Sequence, residues 1–151
     1  MSRVVYTIGH SNRSFDEFIK LLKAHDVTLV VDVRRFPSSK VVPHFNRDYL
    51  EKELKKRGIK YVWLGDTLGG FRKPNYISYM STKEWERGYV RLKALIKNYN
   101  LAIMCKEKLW FKCHRRFIAD KLTAENYTVL HIVDERRKSK HTIQDKLFKP
   151  L

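Results

Sequence analysis

The sequence has no long apolar run. None of its apolar stretches approaches the roughly 18 residues that a membrane-spanning helix needs. The short N-terminal run is broken at once by Gly9 and His10, so it does not match an export signal either. We therefore expect a cytoplasmic protein with no membrane partner.

Cysteine is scarce. The 151 residues contain only 2 cysteines, Cys105 and Cys113, too few for the disulfide framework that stabilises small secreted proteins. This supports an intracellular setting. A single redox or catalytic cysteine pair remains open.

Acidic residues are also in short supply. There are 16 Asp and Glu against 32 Lys and Arg, which gives a formal net charge of +16 at pH 7. Ion-pair networks or simple solvation would be the ordinary use of surface charge, but networks need balanced signs and half of the cations have no acidic counterpart. The imbalance favours an anionic partner, and we expect nucleic acid, DNA rather than RNA.

The glycine motifs that bind nucleotide cofactors are missing. Gly69 and Gly70 are adjacent, but their context matches neither the dinucleotide fingerprint nor the Walker phosphate loop. We predict no cofactor. The two glycines provide either positive backbone dihedrals in a loop or a place where substrate approaches the main chain closely.

What the sequence does contain is an alternation of strand and helix patterns. Runs of β-branched and apolar residues predict five strands, over residues 4–8, 28–33, 60–64, 101–105 and 128–133. Helical periodicity between them favours right-handed crossovers. We therefore predict a three-layer α/β fold, with a mostly parallel five-stranded sheet and helices on both faces.

The predicted helices have recognisable start signals. Ser14 with Glu17, and Ser81 with Glu84, have the spacing of a capping box. Asn46 is expected to cap the helix between the second and third strands. A further helix is expected to begin near Cys113.

The last segment differs in composition from the rest. We predict one domain over residues 1–134 and a basic segment over 135–151 that packs on the domain or extends from it. The basic residues noted in this segment are Arg136, Arg137, Lys138, Lys140, Lys146 and Lys149.

Polar residues follow the predicted strands, at the edge where ligands bind to an open parallel sheet. The site predicted there combines candidate catalytic residues, namely His10, Asp32, Cys105, Glu107, Cys113 and His114, with candidate substrate-binding residues, namely Ser11, Arg34, Arg35, Ser38, Gly69, Gly70, Arg115 and Arg116.

Asp32 places a carboxylate at the end of an apolar strand. Such an acid either serves as a general base or forms a structural pair, and Arg34 and Arg115 are the candidate partners. Both interpretations remain open at this point. His10, at the end of another strand, is either an acid–base group or a buried, hydrogen-bonded histidine.

The run Cys113-His114-Arg115-Arg116 places a thiol and two guanidinium groups at a predicted helix N-terminus, which suits a thiolate or a bound phosphate. The alternative is that the cysteines are small buried apolar residues. We predict no metal site, since the seven residues between Cys105 and Cys113 do not match a zinc-knuckle spacing.

Aromatic residues stand beside cations in several predicted loops. Base stacking on aromatic rings combined with phosphate contacts by cations is how single strands or extruded bases are held. The aromatic residues concerned are Phe36, Phe45, Phe71, Tyr76, Tyr79, Trp110 and Phe111.

Four motifs in order resemble the family called domain of unknown function 488. They are Thr7 to Ser11, Asp32 to Arg34 with Pro37 and Ser38, Leu64-Gly65 with Leu68-Gly69-Gly70, and Cys105 and Glu107 with Cys113-His114-Arg115. The resemblance implies an α/β fold and a shared site built from these positions. The stretch from Lys108 to Lys112, rich in cations and aromatics, departs from the pattern and counts against a generic small-molecule role.

Three functions remain in competition. The first is an enzyme that processes damaged or unpaired DNA by base excision or strand cleavage, with Asp32 as base and arginines on phosphate, or with Lys106 forming a Schiff base. The second is a thiol-dependent redox or sulfur-transfer enzyme that uses Cys105 and Cys113. A phosphatase-type loop is excluded, since Phe111 stands where its arginine would be. The third is a non-catalytic nucleic-acid-binding module.

Overall fold

One mixed sheet forms the centre of the computed structural model, which describes residues 3–143. Its six strands are β1 (Val4–Gly9), β2 (Leu29–Asp32), β3 (Lys60–Trp63), β4 (Leu101–Cys105), β5 (Thr128–Ile132) and β6 (Lys138–Lys140). Their spatial order is β3-β2-β4-β1-β5-β6. The first five strands are parallel and β6 is antiparallel to β5, which confirms the α/β fold with a mostly parallel sheet.

Helices connect the parallel strands. They are α1 (Phe15–Ala24), α2 (Arg47–Lys56), α3 (Gly65–Leu68), α4 (Tyr76–Tyr79), α5 (Lys83–Asn98) and α6 (Arg115–Ala124), with short 3-10 helices at Pro43–Phe45 and Trp110–Lys112. Within the described residues, none of these helices combines the length and the apolar character that crossing a membrane requires.

The residues that begin the helices agree with the predicted N-cap positions, except that one helix begins one residue later. Ser14 caps α1 and forms both hydrogen bonds of the capping box with Glu17, as predicted. For α5 the prediction of Ser81 was wrong by one residue, because the Thr82 hydroxyl accepts the hydrogen bond from the Trp85 N–H. Asn46 does precede α2, but its side-chain oxygen accepts from the Ser39 N–H at 2.5 Å and so fixes the preceding loop.

Two apolar layers sandwich the sheet. Ile103 on β4 packs in one layer with residues from α5 and α6, such as Trp85 and Ile118. Met104, one residue later, packs in the other with residues from α1 such as Phe18. This alternation explains why buried parallel strands are apolar throughout, and it places α1 and α6 on opposite faces.

The sixth strand corrects the prediction of five. Residues Lys138–Lys140 are all exposed and lack any apolar alternation, so their pattern gives no strand signal. They pair with β5 at the edge of the sheet, where lysines protect against pairing with another chain. His141, directly after β6, is buried. The predicted basic residues Lys146 and Lys149 lie outside the described residues.

Candidate functional site

The site lies where the connections of β1 and β4 diverge. After β1 the chain crosses one face of the sheet through α1, and after β4 it crosses the other face through α6. Hydrogen bonds from the His10 N–H to the Cys105 carbonyl, 2.9 Å, and from the Ser11 N–H to the Lys106 carbonyl, 2.8 Å, extend the pairing past the strand ends. Such a divergence leaves a crevice at the carboxyl edge of a parallel sheet.

A cavity of about 430 Å³ fills this crevice. It is lined by nine of the predicted site residues, namely His10, Arg34, Arg35, Ser38, Gly70, Cys105, Glu107, Cys113 and His114. The sequence singled out Phe36, Phe71 and Tyr76 only as candidates for base stacking and Lys106 only as a Schiff-base candidate. Three further lining residues were not assigned to the site: Ser39, Arg72 and Lys112. The volume is in the range of small-molecule pockets.

Asp32 is fully buried beneath the cavity wall and is not among the lining residues. Its Oδ1 accepts from the N–H and the Nε of Arg34, and its Oδ2 accepts from Arg34 Nη2 at 2.7 Å and from the Tyr61 hydroxyl at 2.5 Å. Of the two interpretations, the structure therefore shows the ion pair with Arg34. A carboxylate with four donors has little capacity left for taking a proton from substrate.

Arg34 connects the buried Asp32 carboxylate to the cavity. Its Nη1 donates to His10 Nε2 at 3.3 Å, while His10 Nδ1 contacts the Ser11 carbonyl at 2.8 Å. Because a carbonyl only accepts, Nδ1 carries the proton and Nε2 is the acceptor. Burial lowers the pKa of His10 to about 4, and the Arg34 charge acts in the same direction. His10 is thus neutral at pH 7.

His114 is held in the complementary tautomer. Its Nε2 donates to the Val33 carbonyl at 2.9 Å, which leaves Nδ1 with its lone pair. Burial lowers the pKa of His114 to about 4. A methyl group at Gly70 would approach His114 Nδ1 to 2.9 Å, so the glycine permits the close contact between this loop and the imidazole.

The two cysteines meet at the cavity wall. Both are free thiols, and their sulfur atoms are 2.7 Å apart, within a small movement of the roughly 2.05 Å bond of a disulfide. Burial raises the pKa of Cys105 well above its usual value. The hydrogen bond from Cys105, followed by the charge of Arg115, lowers the pKa of Cys113. Cys113 is therefore the more acidic thiol of the pair.

Four predicted residues besides Asp32 do not line the cavity: Ser11, Gly69, Arg115 and Arg116. Gly69 has a structural reason for its size, because a methyl group there would lie 2.3 Å from the Gly65 carbonyl oxygen and 2.6 Å from the Arg35 side chain. Arg115 is 1% exposed, and its Nη2 donates at 3.0 Å to the carbonyl of Lys108, in the loop between the two cysteines.

The mouth of the cavity is aromatic and cationic. Phe36 is 63% exposed and Phe71 is 82% exposed, and their ring centroids are 5.9 Å apart. Arg35 lies over the Phe36 ring and donates to the Phe71 carbonyl. Arg72 is fixed by the carbonyls of Gly69 and Asp66. Large exposed apolar groups beside cations are typical of a ligand contact surface.

No metal centre is evident among residues 3–143: the structure groups no three His, Cys, Asp or Glu side chains so that they could hold a metal ion.

Comparison with known proteins identifies a family. A sequence model described as a domain of unknown function, DUF488, matches residues 14–122. The chain belongs to this family. The matched range includes Asp32 and both cysteines but begins after His10 and Ser11. No curated protein and no solved structure matches the chain significantly.

Proposed function

We propose that this DUF488 protein is a thiol-dependent enzyme that exchanges disulfides with an anionic substrate. The observation that carries the proposal is the pair of free cysteine sulfurs 2.7 Å apart at the wall of a cavity. Five cations line the same cavity, namely Arg34, Arg35, Arg72, Lys106 and Lys112. A thiolate is the attacking form in exchange, and cations both favour the thiolate and attract an anion.

Each cysteine has a separate role in this reaction. The Cys113 thiolate attacks one sulfur of a substrate disulfide, forming a mixed disulfide and releasing the other half as a thiolate. Cys105 then attacks the Cys113 sulfur, and its proton passes to a departing thiolate. The Cys105–Cys113 disulfide is formed, and the substrate is reduced to two halves, one protonated by Cys105 and the other by solvent. An external dithiol returns the protein to its starting state.

The surrounding groups orient rather than react. Asp32 holds Arg34 by a bidentate pair, and Arg34 in turn faces the cavity beside neutral His10. His114 presents an unprotonated Nδ1, a hydrogen-bond acceptor that suits a donor on the substrate. These contacts fix the cavity wall before substrate binds, which is the arrangement that oriented reactions need.

The test is trapping of the mixed disulfide. Cys105→Ser incubated with oxidised glutathione should accumulate one glutathione on Cys113, whereas the wild type should release it and form the internal disulfide. Cys113→Ser should do neither. Intact-mass and peptide-mass measurement distinguishes the three. If Cys113→Ser reduces disulfides as fast as the wild type, the proposal is wrong.

A second candidate is nucleic-acid processing, and the exposed pair Phe36 and Phe71 beside Arg35 is the observation that favours it. Base stacking on such rings is sequence-tolerant and suits unpaired DNA. Asp32 is unsuited as the base because it is buried and fully hydrogen-bonded. Lys106, which lines the cavity, is the better candidate for attack on a sugar carbon.

End-labelled oligonucleotides with intact, deaminated or abasic sites test this second candidate. Strand cleavage, with a borohydride-trapped covalent adduct that is absent in Lys106→Ala, would establish it. Binding without cleavage, weakened by Phe36→Ala and Phe71→Ala but not by Val90→Ala at an exposed position on α5, would instead establish a non-catalytic nucleic-acid-binding module.

A further inference from the structure

Arg115 is a buried cation without an acidic partner. Its Nε and Nη1 atoms are buried and have no hydrogen-bond partner among residues 3–143. The salt bridges in the same part of the chain all involve other residues. An unpaired buried charge is strongly destabilising, so a negative group is expected close by.

The cysteine pair is the candidate for the negative group near Arg115. Arg115 begins α6 two residues after Cys113, and the N–H of the next residue, Arg116, donates to the Cys113 carbonyl at 3.3 Å. The N-terminus of a helix favours negative charge, in the same sense as the guanidinium. Burial raises the pKa of Cys105 and the charge of Arg115 opposes that rise; the hydrogen bond from Cys105 lowers the pKa of Cys113 and the charge of Arg115 adds to that effect.

Other charged groups do not balance Arg115. Burial lowers the pKa of Arg13 and of His131, and the positive charge of Arg115 adds to both effects. His114 is affected in the same way. Glu107 acts on Cys113 and raises its pKa, but this carboxylate is exposed. Nearby Tyr76 keeps its proton, since burial raises its pKa beyond the usual range.

We propose that the Cys113 thiolate is the counter-charge of Arg115, and that Arg115 thereby makes the Cys105–Cys113 disulfide a strong oxidant. This inference rests on the proposed thiol function. Forming the internal disulfide transfers two electrons to the substrate disulfide, passes on one proton from Cys105, and removes the single negative charge of the site. The oxidised protein then contains an unbalanced buried guanidinium, so the reduced form is favoured.

The test compares two neighbouring arginines of α6. Arg115→Met should raise the pKa of the Cys113 thiol by about one unit or more. It should also shift the equilibrium with glutathione toward the protein disulfide by at least about tenfold, equivalent to about 30 mV. Arg116→Met, which removes the same charge one residue later, should change neither value, and Arg115→Lys should retain both. The readouts are the pH dependence of Cys113 alkylation and redox titration.

The ionisation of Cys113 can also be tested in the wild-type protein. Oxidation at neutral pH by ferricyanide, which accepts electrons and no protons, should release one proton for each disulfide formed, because Cys113 starts as the thiolate in this proposal. Release of two protons, or a folded Arg115→Met with wild-type thiol pKa and redox equilibrium, would overturn the inference. If disulfide exchange still required Cys113, the proposed thiol function would stand without the role of Arg115. If Cys113→Ser still exchanged disulfides, the proposed function would also be wrong.

Discussion

Tyr61 supports the cavity wall indirectly, through Asp32 and Arg34. Its hydroxyl donates to the buried Asp32 carboxylate, which also binds Arg34. Tyr61→Phe should reduce the free energy of unfolding by about 2 kcal/mol, because a hydrogen bond to a buried charged group is lost. Denaturant unfolding measures this. Tyr49→Phe, at an exposed position on α2, should be neutral, and a neutral Tyr61→Phe would show that Arg34 alone satisfies the carboxylate.

Three histidines whose pKa is lowered in the fold make stability depend on pH. Burial lowers the pKa of His10 and His114 to about 4 and that of His131 to about 2, whereas an unfolded histidine titrates near about 6.5. Below that value the unfolded chain binds protons that the folded chain does not. Stability should therefore fall as the pH drops from about 6.5 toward 4, by up to about 1.4 kcal/mol per pH unit for each histidine.

Urea unfolding at a series of pH values checks this slope. His131→Asn should make the dependence shallower, because one of the three groups no longer takes up a proton on unfolding. A stability that stays flat between about pH 6.5 and 4.5 would mean that these imidazoles titrate normally in the folded protein.

At the scale of elements, the 3-10 helix between the cysteines is held in place by residues that do not line the cavity. Trp110 stacks on His131, with centroids 4.7 Å apart, and meets His141 edge-on. His131 bonds to His141 at 2.8 Å, and His141 bonds to Asp120 at 2.6 Å. The end of β6 and α6 are thereby tied to the loop that carries Cys113.

Trp110→Ala should release this loop and slow formation of the Cys105–Cys113 disulfide by roughly ten- to a hundredfold, because exchange needs aligned sulfurs. Phe111→Ala, at a half-exposed neighbouring position, is the matched control and should retain the wild-type rate. Single-turnover kinetics with acid quench and mass measurement follow the reaction. Equal rates for the two variants would indicate that Trp110 contributes only to packing.

The elements differ in how far their sequence predicts them. Apolar runs fix the five parallel strands, and the polar residues after them converge at one edge because parallel strands share that edge. β6 has no apolar pattern, and its residues pair with β5 only through the tertiary fold. Likewise Arg72 and Tyr76 reach the cavity through a loop path that local sequence does not specify. The choice of Arg34 over Arg115 as partner of Asp32 also required the three-dimensional arrangement.

At the scale of the whole molecule, the excess of cations has a kinetic consequence. A net charge of +16 at pH 7, with five cationic side chains at one cavity, attracts anions over distances comparable to the Debye length. The net charge of the whole protein and the cations of the cavity therefore both attract an anionic substrate. Substrate charge should decide how fast Cys113 reacts.

The most direct test is the rate of disulfide exchange at Cys113 with an anionic, a neutral and a cationic reagent: 5,5′-dithiobis(2-nitrobenzoate), hydroxyethyl disulfide and cystamine. Relative to each reagent's rate with a free model thiol, we predict acceleration in the order anionic, neutral, cationic, by at least about tenfold overall and diminishing with added salt. The acceleration should be lost in Cys113→Ser. Equal relative rates for the three reagents, unaffected by salt, would contradict a thiolate acting in a cationic cavity.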